Sequence, residues 1–386
     1  MKRNFDFPEK FDITLTCASG VEKVLKSELK RLRLPEAPAI NGTCTFTGGM
    51  QDVANLNVNL RTADRVYIKL AEFSAESFNE LFDGVASVEF ERFIPGDAKI
   101  TINGKCVKSK LFAVSACQSI IKKAIVKRLS EKFGLYSLPE TGALYEICFS
   151  VFKDVVTLLL NTSGAGLHKR GYRDLVGIAP IKETLASALI LLSDYYYERP
   201  FADPFCGSGT LAIEATRIAL NIAGGINRRF AFNEWKNFDP LYYSRAFEQA
   251  KDNEKRDRKI EVLGSDIDGK AVLLATRHAE KAGVLKHIKF TRRDVSDFYS
   301  SSSFGTIVSN PPYGERVYDK KQAEICYKSL GEAYSKLDRW SLFVITSANN
   351  FEKSFGKRAD RERKLYNSNK ECKFYYYYNN NEKQDG

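Results

Sequence analysis

Apolar and polar positions follow two kinds of pattern along the chain, and these patterns divide it into two regions. In the first region, Phe11 to Thr16 and Thr43 to Thr47 alternate as half-buried strands do, whereas apolar residues recur at helical spacing from Ala18 to Leu32. Further strands are predicted at residues 65–70, 99–102, 144–152 and 155–160. These elements carry no glycine-rich nucleotide loop, so residues 1–160 are predicted to form a mixed α+β region.

In the second region, strands alternate with helices. An amphipathic helix is predicted from about Ile181 to Tyr197 and is ended by Pro200. Strands are then predicted at residues 201–203, 260–265, 288–291, 306–309, 341–346 and 372–378. This order is typical of an open, mostly parallel sheet of the doubly wound α/β class. Residues 161–180, between the two regions, are glycine-rich, basic and aperiodic, and they are predicted to form a linker.

A basic helix is predicted in the first region, from Ser109 to Phe133. Its apolar residues line one face, and its cationic residues lie mainly on another: Lys122, Lys123, Lys127 and Arg128. Such a face is compatible with plain solvation and with contacts to nucleic-acid phosphates, and the pattern alone leaves both open. The net charge of +11 and the pI near 9.1 favour a polyanionic partner but indicate nothing about chemistry.

The composition argues against several classes of protein. The chain has no run of about 18 apolar residues, and Met1 to Lys10 lacks the apolar core of a signal peptide, so we expect a cytoplasmic protein. Its eight cysteines include no Cys-x-x-Cys pair and only three histidines are present, so we expect neither disulfides nor a metal site.

The strongest local motif is DPFCGSGTLAIEA, from Asp203 to Ala215. A predicted strand ends in Asp203, a loop follows with Gly207 and Gly209, and a helix begins near Thr210. Glycine lets the backbone turn tightly and present bare amides to a ligand. A tight βα turn would use the same glycines, but the acid ahead of this loop would repel a pyrophosphate and suits the ammonium group of a methionine moiety. The motif therefore indicates S-adenosylmethionine rather than NAD.

Further acids follow the next two predicted strands. In GSDID, either Asp266 or Asp268 is placed to accept hydrogen bonds from ribose hydroxyls, and Asp294 in RRDVSD is placed to accept one from an adenine amino group. An insertion rich in charged and aromatic residues, Gly224 to Lys259, separates the glycine loop from these acids. We expect this insertion either beside the cofactor crevice or as a surface excursion packed on the edge of the sheet.

A second motif, SNPPYGER, spans Ser309 to Arg316 at the end of the fourth predicted strand. Pro311 and Pro312 stiffen the turn, so the Asn310 amide and the Pro311 carbonyl become fixed acceptors. Two acceptors can hold a planar amino group with its lone pair towards a methyl donor, without a strong base. Tyr313 can stack on a flipped base. The motif alone would fit a structural turn, but its pairing with the glycine loop favours a methyltransferase acting on an exocyclic amine of a nucleic-acid base.

Together these segments resemble the THUMP-domain RNA methyltransferases, in particular the bacterial group that looks like the large-subunit ribosomal RNA guanine 2-amino methyltransferases. The matching segments are HKRGYR, APIKETLA, DPFCGSGTLAIEA, GSDID, SNPPYGER and RKLYN. The resemblance covers almost the whole chain. It implies a ferredoxin-like region at 1–55, a THUMP domain at 56–160, the linker 161–180, and a Rossmann-like class I methyltransferase domain at 181–386. Members with a second methyltransferase domain are longer, so we expect this chain to make a single modification.

The resemblance also implies roles for individual residues. The target base would be held by Asn310, Pro311, Pro312 and Tyr313. S-adenosylmethionine would contact Asp203, Phe205, Gly207, Gly209, Thr210, Asp266 and Asp294. A structured ribosomal RNA would contact the predicted basic helix, at Lys122, Lys123, Lys127 and Arg128, and the linker, at Lys169, Arg170 and Arg173.

Three other functions remain open on the residues alone. The Asn-Pro-Pro-Tyr motif suits the amino groups of adenine and cytosine as well as guanine, so an adenine-N6 DNA methyltransferase fits it. A protein-glutamine methyltransferase would present a comparable planar amide. A catalytically idle RNA-binding or ribosome assembly factor is the third alternative, and the intact acids and intact motif argue against it.

Overall fold

Two seven-stranded sheets organise the part of the chain that the structure, a computed structural model, describes: residues 7–35, 37–40, 42–173, 181–314 and 319–378. The first sheet contains β1 (Phe11–Cys17), β2 (Ala39–Ile40), β3 (Thr43–Gly48), β4 (Ala63–Ser74), β5 (Lys99–Val107), β6 (Leu144–Phe152) and β7 (Val155–Asn161). Its strand order is β2-β3-β1-β4-β7-β6-β5, and only β5 and β6 pair in parallel. The predicted α+β region is confirmed.

Four helices accompany this sheet: α1 (Glu22–Arg31), α2 (Met50–Asn59), α3 (Phe78–Ala86) and α4 (Val114–Phe133). The predicted basic helix is α4, but it begins at Val114 because Ser109 belongs to a turn, where its hydroxyl donates to the Val107 carbonyl. The predicted boundary between the ferredoxin-like region and the THUMP domain, at residues 55 and 56, lies inside α2. Strands from before and after this boundary belong to the same sheet. The division into domains stays a prediction.

The second sheet contains β8 (Phe201–Asp203), β9 (Val262–Asp266), β10 (Ile288–Arg292), β11 (Gly305–Ser309), β12 (Trp340–Thr346), β13 (Arg361–Asn367) and β14 (Lys370–Tyr377). Its order is β10-β9-β8-β11-β12-β14-β13, with the first five strands parallel and β14 antiparallel to both of its neighbours. This topology confirms the predicted doubly wound α/β class. The strand order reverses at β8, and ligands bind at the carboxyl ends of strands at such a switch point.

The helices of this second region are α5 (Glu183–Leu192), α6 (Thr210–Ala219), α7 (Pro240–Asp252), α8 (Gly269–Lys281), α9 (Lys320–Ser335) and α10 (Phe351–Phe355). None of the helices in the described ranges is long and apolar enough to cross a membrane. The sequence pattern missed β13, because RERKLYN is charged where a buried strand would be apolar. β13 is the edge strand of its sheet. Charged side chains on an edge strand discourage pairing with another chain.

Residues 161–173, predicted as part of a linker, are packed against the first region. Thr162 and Ser163 are fully buried, and the Asn57 side chain of α2 bonds to both, donating to the Thr162 hydroxyl (2.9 Å) and accepting from that of Ser163 (2.6 Å). This part of the predicted linker is therefore packed against the protein, and its role as a linker stays a prediction. Residues 174–180, the rest of the predicted linker, lie outside the described residues.

The insertion at residues 224–259 packs on the first region. Trp235, 2% exposed, stacks on Tyr145 of β6 with ring centroids 4.7 Å apart, and its indole N–H donates to the Leu144 carbonyl (3.1 Å). The Arg228 guanidinium donates to four carbonyls between Ser163 and Lys169. The insertion therefore acts as an arm that joins the two regions. The sequence had suggested a place beside the cofactor crevice or on the sheet edge, and it gave no sign of this role.

Candidate active site

The glycine loop lies between β8 and α6, at the carboxyl edge of the second sheet. Gly207 has a φ of +50° and Gly209 a φ of +83°, both in the left-handed region that glycine tolerates. A Cβ on Gly209 would come within 2.9 Å of the Ala275 side chain, so a small residue is needed where α6 begins. A Cβ on Gly207 would meet nothing within 4 Å, so the backbone there faces open space.

Asp203, the last residue of β8, lies beneath this loop. It is 1% exposed and accepts hydrogen bonds from the Ser309 hydroxyl (2.6 Å) and the Phe205 amide (3.2 Å). Burial raises the pKa of Asp203 to about 7, and the nearby carboxylate of Asp266 adds to this rise. The carboxylate form of Asp203 is therefore poorly solvated, and a cationic ligand beside it would stabilise that form.

Asp266, the last residue of β9, faces the loop from the neighbouring strand. Its carboxylate accepts from the Gly207 amide (2.9 Å) and from the Asp268 amide (3.0 Å), and burial raises its pKa. Asp268 instead caps the N-terminus of α8 by accepting from the Lys270 amide (2.8 Å). Of the two acids that the sequence left open for the ribose, Asp266 is the one that reaches the glycine loop.

The remaining residues assigned to the cofactor lie along the same edge. Thr210 is 3% exposed at the start of α6, and Phe205 is half-buried just after β8. Asp294 follows β10 and is half-buried, and it accepts from the amide (2.9 Å) and hydroxyl (2.8 Å) of Ser296. An open backbone cradle with two acids of raised pKa fits S-adenosylmethionine, whose ammonium and sulfonium are cationic and whose ribose donates hydrogen bonds.

The Asn-Pro-Pro-Tyr turn follows β11 directly, beside the strand that ends in Asp203. The Tyr313 hydroxyl donates to the Asn310 side-chain oxygen (2.7 Å), and the Tyr327 hydroxyl of α9 donates to the Pro312 carbonyl (2.6 Å). Pro311 is buried. The turn is therefore held from two sides, with the Asn310 oxygen orientated by a donor. The last residues of the motif, 315 and 316, lie outside the described residues.

The hairpin of β13 and β14 reaches the same turn. The Asn367 amide donates to the Tyr313 hydroxyl (3.4 Å), and the Lys370 ammonium lies 5.5 Å from the centre of the Tyr313 ring. Burial raises the pKa of Tyr313, so its hydroxyl remains a donor at alkaline as well as neutral pH. The Tyr313 ring is half-buried between the turn and this hairpin. Its stacking on a flipped base stays a prediction.

Sequence reasoning missed several residues that support the site. Ser309 lies inside the quoted motif, yet only the structure reveals its bond to Asp203. Tyr327 and Asn367 come from later elements and have no motif of their own.

His278 of α8 is 3% exposed, and its Nδ1 lies 3.0 Å from the Ser208 carbonyl of the glycine loop. A residue near the C-terminal end of α8 gives no such signal in the sequence.

The basic residues of α4 fall into two groups. Lys122 pairs with Glu140 and donates to the Ile100 carbonyl (2.6 Å), and Arg128 pairs with Glu91. Lys123 and Lys127 are exposed to solvent. The structure thus presents two of the four predicted cations to a partner, while the other two are engaged within the protein.

The three cations of the predicted linker also differ. Lys169 is exposed, and Arg173 is half-buried and paired with Glu183 (3.0 Å). Arg170 is 1% exposed and donates to the carbonyls of Arg61 and Leu167. A guanidinium buried in this way has no surface to offer a phosphate, so the RNA contact predicted for Arg170 is wrong. The Arg170 guanidinium also lies 3.8 Å from the Glu214 carboxylate of α6, so it joins the two regions of the protein.

A parallel sheet with a glycine loop, two buried acids and an Asn-Pro-Pro-Tyr turn at one edge defines a methyltransferase that depends on S-adenosylmethionine. Three family models match the chain: an RlmL ferredoxin-like domain at residues 12–67, a THUMP domain at 75–161, and an RMKL-like methyltransferase domain at 170–375. The chain belongs to the RMKL-like family of methyltransferases.

Relatives and solved structures agree with this placement. YpsC of Bacillus subtilis, provisionally assigned as an RNA methyltransferase, is 42% identical over 93% of this chain and 94% of its own. The ribosomal RNA large subunit methyltransferase K/L of Syntrophotalea carbinolica is 31% identical over 95% of this chain, which spans only 53% of that longer protein. The crystal structure of SMU.472, provisionally assigned as a methyltransferase and complexed with S-adenosylhomocysteine, matches with a TM-score of 0.92 at 39% identity, covering 96% of this chain and 99% of that one.

Proposed function

We propose that this protein transfers a methyl group from S-adenosylmethionine to the exocyclic 2-amino group of a guanine in large-subunit ribosomal RNA. The observation that carries the proposal is the hydrogen bond between Ser309 and Asp203, because it joins the strand of the base-holding turn to the strand of the glycine loop. The two motifs therefore share one crevice. A methyl donor and an amino group bound to them would lie side by side.

S-adenosylmethionine supplies the methyl group on a sulfonium. The carboxylates of Asp203 and Asp266 would bind its ammonium and ribose, the glycine backbone at Gly207 and Gly209 would follow its methionine chain, and Asp294 would accept from its adenine. Phe205 and Thr210 would complete the pocket. Charge-assisted hydrogen bonds from these acids give both affinity and orientation.

The protein contributes position and polarity at the target amine. The Asn310 oxygen and the Pro311 carbonyl would accept its two N–H bonds, which leaves the nitrogen lone pair free to face the methyl group. The Tyr313 hydroxyl, which donates to Asn310 in this structure, would yield that acceptor to the substrate amine. Pro312, held by Tyr327, keeps the turn rigid.

Support for RNA over DNA comes from the first region of the chain. A THUMP domain and a ferredoxin-like domain precede the methyltransferase domain. The K/L relatives are named for large-subunit ribosomal RNA, and part of their length corresponds to this chain. An α+β region beside a basic surface suits recognition of RNA shape and of a base splayed from a loop. The turn itself does not distinguish guanine from adenine.

The proposal is tested by incubating the full-length protein with labelled S-adenosylmethionine and either protein-free ribosomal RNA or duplex DNA, then digesting to nucleosides. We expect label in N2-methylguanosine from the large-subunit RNA, incorporated about a hundredfold more slowly in a parallel reaction with Asn310→Ala. Label recovered chiefly as methyladenine from DNA would contradict the proposal and favour the DNA methyltransferase that the sequence left open.

A further inference from the structure

A groove of about 380 Å³ lies where α1, α5 and the β13–β14 hairpin meet. Its walls combine cations with aromatic rings: Lys23, Arg31, Arg361, Arg363, Tyr376 and Tyr378. Among the described residues that line it, Glu28 is the one carboxylate, and it already accepts from the amides of Arg61 and Thr62. The groove therefore presents positive charge to a ligand.

The exposed face of α1 extends this charge. Lys23, Lys26 and Lys30 recur at three- and four-residue spacing, which places them on one side of the helix, and all three are exposed. In the part of the chain that the structure describes, none of them has an ion-pair partner, unlike Lys122 and Arg128 of α4. These lysines also line a second depression that continues along α1.

The hairpin connects this groove to the candidate active site. Arg361, Arg363 and Asn367 lie on one face of β13, because alternate residues of a strand share a face. Arg361 pairs with Tyr376 across the hairpin, and its guanidinium lies 5.4 Å from the centre of that ring. Asn367, six residues further along, contacts Tyr313. Arg363, the nearer of the two arginines that line the groove, is four residues from Asn367, so at about 3.3 Å per residue the groove begins roughly 13 Å from the Asn-Pro-Pro-Tyr turn.

We propose that this groove binds a single-stranded segment of the RNA substrate next to the methylated nucleotide. The inference rests on the proposed function, since it assumes a nucleic-acid substrate. Cations along a groove follow a phosphate backbone, and an exposed aromatic ring stacks on bases of any sequence. Tyr378, 39% exposed at the mouth of the groove, offers such a ring beside Arg361. An acidic protein segment would use the cations but would gain little from the ring.

The test compares two triple variants of the full-length protein. Lys23→Gln/Lys26→Gln/Lys30→Gln removes the charges of α1. A matched control, Lys336→Gln/Lys353→Gln/Lys357→Gln, removes three exposed lysines on the opposite side of the hairpin. The sides differ because Phe374 and Tyr376 pack in the core beneath α1 and α5, whereas Tyr375 and Tyr377 pack with Phe351 and Phe355 of α10.

Binding is measured with a fluorescein-labelled uridine oligonucleotide of roughly a dozen nucleotides over a range of salt concentrations. Each phosphate contact in a single strand contributes about 0.7 to the slope of log affinity against log salt. The α1 variant should therefore lose about two from this slope and about tenfold or more in affinity near 0.1 M salt, and the control should match the wild type. Tyr378→Ala should lower affinity by about tenfold without changing the slope.

Thermal unfolding and S-adenosylhomocysteine binding establish that each variant is folded. The inference would be overturned if the wild-type protein binds the oligonucleotide and methylates RNA, but the salt slope is unchanged in the α1 variant or is reduced equally in the control. That result would leave the proposed function intact. A wild-type protein that neither binds nor methylates RNA would overturn the proposed function itself.

Discussion

Ser309 and Asp203 lie 106 residues apart in the sequence, yet a 2.6 Å hydrogen bond joins them in the structure. The bond explains how a buried acid with a raised pKa is tolerated, because the Ser309 donor stabilises its charged form. Asn310 follows Ser309 directly, so the contacts proposed for the cofactor side and for the substrate side come from neighbouring residues.

Replacing Asn310 by alanine should separate chemistry from cofactor binding. The change removes the side-chain acceptor for the target amine, so methyl transfer should slow by about two orders of magnitude while affinity for S-adenosylmethionine stays nearly intact. Asn350→Ala is a suitable control, because Asn350 follows β12 at the same sheet edge and its side chain bonds to Glu324. Equal losses of binding and turnover in Asn310→Ala would place Asn310 elsewhere.

Asp266→Ala should weaken cofactor binding by about 2–4 kcal/mol, because two charge-assisted hydrogen bonds to the ribose are lost. Asp268→Ala removes the cap of α8 and should cost roughly 1 kcal/mol of folding stability with little effect on binding. Calorimetric titration of both variants with S-adenosylmethionine distinguishes the two acids. An affinity that falls in Asp268→Ala and not in Asp266→Ala would reverse their roles.

Asp203 should make the cofactor-free protein less stable as pH rises. Its folded pKa of about 7 exceeds that of an unfolded aspartate, about 3.9, so between these values the folded protein holds a proton that the unfolded chain has released. The free energy of unfolding should therefore fall across this window, by up to about 1.4 kcal/mol per pH unit, and Asp203→Asn should lack this contribution. Denaturant titrations at pH 5 and 7.5 measure it, and parallel pH profiles for the two proteins would contradict it.

At the scale of elements, the sequence predicts those strands that have a local apolar pattern and that run parallel in the sheet. The strands β8, β9 and β11 could be predicted because short apolar runs end in motif residues, and parallel strands bring those ends to one edge. The strand β13 could not, because RERKLYN has no apolar pattern of its own and is held by its hairpin pairing with β14. The positions of Tyr327 and Asn367 at the Asn-Pro-Pro-Tyr turn depend on packing between elements that are separated in the sequence.

The insertion gives the clearest prediction at this scale. Trp235→Ala should destabilise the protein by about 3–5 kcal/mol, since it leaves a cavity against Tyr145 and an unbonded carbonyl at Leu144. Chemical denaturation checks the value, with Tyr242→Ala as a control on a half-buried aromatic residue of the same insertion. A loss no larger in Trp235→Ala than in Tyr242→Ala would show that the arm does not fasten the two regions.

For the whole molecule, the total charge differs from the charge that the surface offers to a partner. The net charge of +11 favours a polyanionic partner, and a THUMP domain model matches part of the chain, but the charge did not predict where it is available at the surface. Half of the basic side chains singled out on α4 are paired with glutamates, and Arg170 is buried between the regions. Ion pairing and domain packing are tertiary effects, so a count of lysines and arginines cannot anticipate them.

The central claim, a methyl group placed on guanine of large-subunit ribosomal RNA, is tested most directly in cells. Ribosomal RNA from a strain lacking the gene is compared, by nucleoside mass spectrometry and site mapping, with RNA from the same strain carrying either the wild-type gene or Asn310→Ala. We expect one N2-methylguanosine of the large subunit to disappear, to return with the wild-type gene, and to return to a far smaller extent with Asn310→Ala. An unchanged set of N2-methylguanosines in all three strains would contradict it.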